Sequence, residues 1–105
     1  MEIRHYLIAS GRDPYQEWLD KLKDLKGRVV IQRRIDRLAA GNFGDHKFCR
    51  EGVWELRIHF GPGYRVYYAQ DEKTLILLCG GEKGTQSAAV KEAVRYWRDY
   101  QRRKA

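Results

Sequence analysis

The sequence predicts an α+β domain, and three observations carry that reading. Helical apolar periodicity appears near both ends of the chain, short β-rich runs fill the middle, and only a few residues link those runs. Links that short favour antiparallel hairpins over parallel crossovers. The chain has 105 residues, and single domains commonly run to about 100–150 residues, so residues 1–105 are read as one domain.

Residues 2–8, Glu-Ile-Arg-His-Tyr-Leu-Ile, are β-branched and aromatic and stop at Ser10-Gly11, which predicts a first strand. Asp13-Pro14 supplies an N-cap with proline at the first helical position, and Gln16 stands where a capping-box partner would. Tyr15, Trp18, Leu19, Leu22 and Leu25 then share one helical face until Gly27 ends or bends the helix. Ile31, Ile35, Leu38 and Ala39 carry a second helix from about Arg28 to Gly41-Asn42, and the pair is expected to form an α-hairpin.

Four short runs follow: Lys47–Arg50, Val53–Phe60, Tyr64–Gln70 and Thr74–Cys79. In the second run, Trp54, Leu56, Ile58 and Phe60 alternate with Glu55, Arg57 and His59, which predicts one face packed on the helices and one face wet. Leu75–Cys79 is apolar on both faces, as a central strand requires, and Gly80–Gly84 reads as a loop. A last helix from about Gln86 to Arg103 places Val90, Ala93, Val94, Trp97 and Tyr100 on one side.

Lys and Arg number 21 against 14 acidic residues, a formal charge of +7, which points to an anionic partner. Composition does not separate RNA, DNA, an acidic protein or an anionic lipid surface. No stretch approaches the roughly 20 apolar residues of a membrane span, and the N-terminus lacks the charged and apolar regions of a signal peptide. A cytoplasmic protein with no membrane partner is expected. Cys49 and Cys79 have no zinc-type spacing and read as small apolar groups, and no metal or other cofactor is expected.

Candidate chemistry falls on the polar face of the sheet. Glu55, Arg57 and His59 stand roughly 7 Å apart along one strand, and pairing across Gly61-Pro62-Gly63 adds Arg65 and Tyr67. Guanidinium groups hold a phosphate and stabilise its developing charge, while a side chain of suitable pKa moves a proton. An ordinary solvated sheet face has the same composition. Trp18, Trp54 and Trp97 read as core, and His5 and His46 as strand-end histidines. Truncating Trp54 is expected to cost roughly 3–5 kcal/mol, whereas Arg57→Ala and Arg65→Ala should each cost less than about 0.5 kcal/mol.

The segments Gly44–Lys47, Gly52–Ile58, Gly61–Tyr68 and Cys79–Gln86 closely resemble the "addiction module killer", phage-derived HigB-like branch of the RelE/ParE toxin superfamily. The resemblance implies a RelE-like fold, with two N-terminal helices and a C-terminal helix packed around a twisted, mainly antiparallel sheet. It implies the toxin of a type II toxin–antitoxin pair, an endoribonuclease that cuts messenger RNA on the ribosome. Its partners would be a cognate antitoxin, the ribosome and mRNA. Arg65 matches the catalytic arginine of a Gly-Tyr-Arg motif, Arg57 a basic residue on the preceding strand, and Lys83 the cation of the loop after the last strand. Glu55 stands where well-known relatives carry a catalytic lysine, and their catalytic tyrosine has no secure counterpart. Glu55, His59, Tyr67 and Gln86 remain as candidates for general acid and base. The candidate RNA contacts are Lys47, Arg50 and Gln86, with Arg33, Arg34 and Arg37 on the second helix and Arg102 and Arg103 on the last. Two readings compete with the nuclease: a ParE-like toxin that poisons gyrase without cleaving anything, and a non-toxic binding module with the inherited fold.

Overall fold

A computed structural model describes residues 1–104. Strands β1 (Glu2–His5), β2 (His46–Arg50), β3 (Val53–Ile58), β4 (Tyr64–Asp71) and β5 (Thr74–Glu82) form one sheet in the order β1-β5-β4-β3-β2. β1 runs parallel to β5, and all other neighbours are antiparallel. Helices α1 (Pro14–Lys21) and α2 (Leu25–Ala39) cover one face and α3 (Gln86–Lys104) the other. The architecture is α+β, as expected. α1 packs chiefly on β5 and α2 on β3, so the sheet, more than a mutual hairpin contact, organises the two helices.

Local chemistry sets the helix ends. Asp13 caps α1 by accepting the Gln16 N–H at 3.0 Å, but the Gln16 side chain bonds Asp20 at 2.8 Å, so the capping box stays half made. The break between α1 and α2 does not fall at Gly27. Asp24 caps α2, accepting the Gly27 N–H and the Tyr64 hydroxyl, each at 2.8 Å. Gly27 is therefore an early helical residue, and a Cβ there would crowd Asp24 and Tyr64. Leu25 moves with it into α2 and lies 69% exposed, off the apolar face assigned to it. At the other end, Gly41 at φ +91° donates to the Leu38 carbonyl and Asn42 to that of Arg37, a Schellman stop.

The wet face expected for β3 is only partly wet. Tyr67, Ala69, Ile76 and Leu78 form a second core with Ala93, Val94 and Trp97 of α3. Both faces of the sheet are thus covered, and the open ground lies beside the N-terminal half of α3. Trp54 is half-buried near the β2 edge, stacked on His46 with ring centroids 5.0 Å apart, so it is a rim aromatic more than a core one. β3 stops at Ile58, before His59 and Phe60.

β5 runs three residues further than predicted, because Gly80, Gly81 and Glu82 pair with Val66, Arg65 and Tyr64. The Trp18 ring lies flat where a Cβ on Gly80 would project. A glycine pair inside a strand here marks close approach of a ring, not a loop.

Candidate functional site

The β3–β4 ladder sets Arg57 opposite Arg65 and Glu55 opposite Tyr67, on the face that carries α3. Glu55 is buried, at 5% exposure. One carboxylate oxygen accepts the Arg57 Nε–H at 2.9 Å; the other accepts the Tyr67 hydroxyl at 3.1 Å and lies 3.5 Å from Arg65 Nε. That last approach is an ion pair without hydrogen-bond geometry, since Arg65 Nε has no hydrogen-bond partner. One anion thus holds two guanidiniums side by side. The hydrogen bond that Arg57 donates to Glu55 holds that guanidinium still more firmly in its charged form.

Glu55, Arg57 and Arg65 form the floor of a cleft of about 560 Å³ between β2, β3 and the start of α3. Lys47 and Arg50 of β2 and Lys91 of α3 line it as well, so five cations face a single carboxylate. Gln86 is there too, its Oε1 accepting the Gly84 N–H at 2.6 Å. Lys83 stands just outside, on the loop after β5, where its N–H donates to the Gly63 carbonyl at 2.8 Å. Gly63, at φ +87°, lies between the Lys83 stem and the Arg65 guanidinium.

Several assignments change. Tyr67 is completely buried, and burial, reinforced by the charge of Glu55, pushes its phenol pKa upward. It supports Glu55 as a neutral donor and does not face the cleft opening. Glu55 itself has both oxygens engaged. His59 lies beyond the strand end and donates from Nε2 to Asp45, whose other oxygen is 3.8 Å from Arg57 Nη1. The imidazole therefore opens onto a neighbouring groove beside α2, with Arg57 common to both cavities.

Arg34 is only 5% exposed and donates to the carbonyls of Phe43 and Asp45, so it braces the α2–β2 connection and is no surface contact. Arg33 and Arg37 line the α2 groove. Arg102 and Arg103 sit at the far end of α3, paired with Asp99, and Arg103 also donates to the Leu7 carbonyl. Among the described residues, no three His, Cys, Asp or Glu side chains come together as a metal site, and no helix is long and apolar enough to cross a membrane.

Residues 17–96, which include the whole cleft, match the family model described as "Phage derived protein Gp49-like". The chain belongs to the Gp49-like family. An uncharacterized protein of Haemophilus influenzae is 50% identical to it over 80 residues, 75% of this chain and 81% of that relative. Gp49-like proteins are toxins of toxin–antitoxin systems within the RelE/HigB-like superfamily and are associated with RNase-type toxins; membership implies an antitoxin partner.

In this Gp49-like chain, sequence reasoning missed Lys91, Ser87 and Asp45. Ser87 and Lys91 are one turn apart on α3 and flank Val90, which also lines the cleft. That spacing next to the apolar stripe was the available signal. Asp45 reads as a turn residue until the fold brings His59 and Arg57 to it. His59 is the first cause of the Asp45 carboxyl lying below its usual range.

Proposed function

We propose that this Gp49-like chain is the toxin of a type II toxin–antitoxin pair and that it cuts messenger RNA on the ribosome without a metal ion. The observation that carries the reading is the Arg57–Arg65 pair, held by one buried carboxylate on the floor of a cationic cleft. Two preorganised guanidiniums bind a phosphodiester and stabilise the extra negative charge of its transition state. Lys83 adds charge at the rim, and Lys47, Arg50, Lys91 and Gln86 hold the flanking strand.

The attacking group is the RNA 2′-hydroxyl. It gives up its proton to a base as its oxygen bonds to the adjacent phosphorus, the bond from phosphorus to the 5′-oxygen of the next nucleotide breaks, and that 5′-oxygen takes a proton from an acid. The products are a 2′,3′-cyclic phosphate and a 5′-hydroxyl end. Of the four proton-transfer candidates, Tyr67 is buried, Glu55 has both oxygens engaged and the Gln86 amide does not carry a proton, which leaves His59. It is exposed on the α2 side, bonded to Asp45 and linked through it to Arg57, which lines both cavities. Glu55 positions the arginines. Free RNA is a poor substrate because the decoding site supplies the alignment of the attacking hydroxyl.

Induced expression followed by mapping of transcript ends tests the reading. Cuts inside translated frames are expected, and in a purified translation assay with enough magnesium to keep ribosomes intact a 2′-deoxy nucleotide at the cut site should abolish them. Growth arrest with intact transcripts would move the target to gyrase.

A further inference from the structure

The groove beside α2 carries charge that the cleft chemistry leaves unexplained. Arg33 and Arg37 are exposed and one turn apart on α2, about 6 Å along its axis, and neither has a carboxylate partner among the described residues. Arg34 forms the wall. It is nine-tenths buried, it has no carboxylate within ion-pair distance, and its Nη1 finds no hydrogen-bond partner. Burial lowers its affinity for its proton, and the neighbouring charge of Arg37 lowers it further. The charge of Asp45 offsets this only in part, and three like charges gathered beside an apolar floor, here Val30 and Ile58, are costly. An anion seated there would relieve that cost.

Continuity identifies the anion. Arg57 lines this groove and also the cleft on the other side of the sheet edge, so a chain of phosphates passing Arg57 enters both. Of the two carboxylates of the groove, Asp45 is paired with His59 and Arg57 while Asp36 accepts only the neutral Gln32 amide, so four arginines, Arg33, Arg34, Arg37 and Arg57, line it against two carboxylates. The apolar floor suits the face of an unpaired base.

We infer that the α2 groove is a second nucleotide subsite, in which Arg33 and Arg37 hold the backbone of single-stranded RNA that continues around the sheet edge from the Arg57–Arg65 cleft. This rests on the nuclease reading of the cleft and extends it by one side of the strand.

The test uses fluorescent 2′-O-methyl RNA, which the proposed chemistry does not cut, as a dinucleotide and as an oligomer of about six nucleotides. Binding to the whole purified chain is followed by anisotropy across salt concentrations. Arg33→Gln with Arg37→Gln should bring affinity for the longer oligomer towards that for the dinucleotide and reduce its salt slope by roughly 1.4, the value for two single-strand phosphate contacts. Dinucleotide binding should stay as it was, while Arg57→Ala or Arg65→Ala weakens both ligands. An unchanged slope in the α2 double variant, with the cleft variants still impaired, overturns the groove and leaves the nuclease reading standing. Binding lost from the α2 variant but untouched in the cleft variants overturns the continuous path and the cleft with it. Failure of the unmodified chain to bind the longer oligomer at low salt also overturns the proposal. So does a double variant that loses only antitoxin binding, which would assign the groove to the protein partner.

Discussion

Arg65 and Arg57 look alike in the sequence but are held differently. The Arg65 side chain is 13% exposed against the buried Glu55, while that of Arg57 keeps 32% exposure. Arg65→Ala, which leaves a buried carboxylate short of one cation, should therefore cost about 1–3 kcal/mol, more than the sub-0.5 kcal/mol expected of a freely exposed charge. Urea denaturation measures this, and Arg65→Lys should restore most of the stability without restoring bidentate phosphate binding. Both alanine variants should relieve growth arrest at equal expression; full toxicity in both would remove the cleft from the mechanism. His59→Ala should slow single-turnover cleavage by about 10²–10⁴-fold as loss of a proton carrier, with an altered pH profile. Glu55→Gln should keep that profile while weakening substrate capture through the arginines. Trp54→Ala, at the sheet rim, should lose less than the roughly 3–5 kcal/mol of a sealed core aromatic.

At the scale of elements, the Asp24 cap of α2 and Gly80 of β5 let α2 and the Trp18 ring of α1 approach the sheet closely. Asp24 is held below the ordinary carboxylate range, first by the Gly27 N–H and then by the Tyr64 hydroxyl. A depressed carboxyl contributes stability that is present above its unfolded pKa and lost as pH falls through the folded one. Asp24→Asn, which keeps a capping acceptor, should therefore flatten the acid end of the stability profile while leaving α2 formed by circular dichroism. Gly80→Ala meets the Trp18 ring directly, and the strain should cost roughly 1–3 kcal/mol. Trp18→Leu in the same chain should recover part of that loss, which a backbone effect at Gly80 would not permit.

For the whole molecule, the second core constrains how an antitoxin works. Removing α3 would expose Tyr67, Ile76 and Leu78 together with its own Ala93, Val94 and Trp97. An acidic segment laid over the five-cation cleft avoids that loss of buried area. Hydrogen exchange on the complex should show new protection at β2, β3 and the first turns of α3, with the rest of α3 as protected as in the free chain. Deprotection along α3 would mean that neutralisation proceeds by displacing it. Alkali offers a second global test. Burial raises Tyr68 to about 12, and burial with the Asp24 bond raises Tyr64 to about 12, against an ordinary 10.0. Their contribution is fully present below the unfolded value and lost as pH rises through about 12, so tyrosinate absorbance from these rings should appear together with unfolding.

Much of this was legible in the sequence because it depends on local chemistry. The alternation of Val53–Ile58, the Gly61-Pro62-Gly63 turn and the Asp13-Pro14 helix start follow from backbone geometry and side-chain period. Pairing across the β3–β4 turn therefore puts Arg65 on the same polar face as Arg57, and the strand register sets the two directly opposite. What the tertiary structure alone decided concerns residues far apart in the chain. Only packing of α3 on the sheet buries Tyr67 and brings Ser87 and Lys91 to the cleft, and only the α2–β2 connection turns Arg34 inward and sets Asp45 between His59 and Arg57. A sequence pattern shows which face of an element a side chain occupies. Whether that face meets water, a core or a counter-charge depends on the element packed against it, and no local period encodes that neighbour.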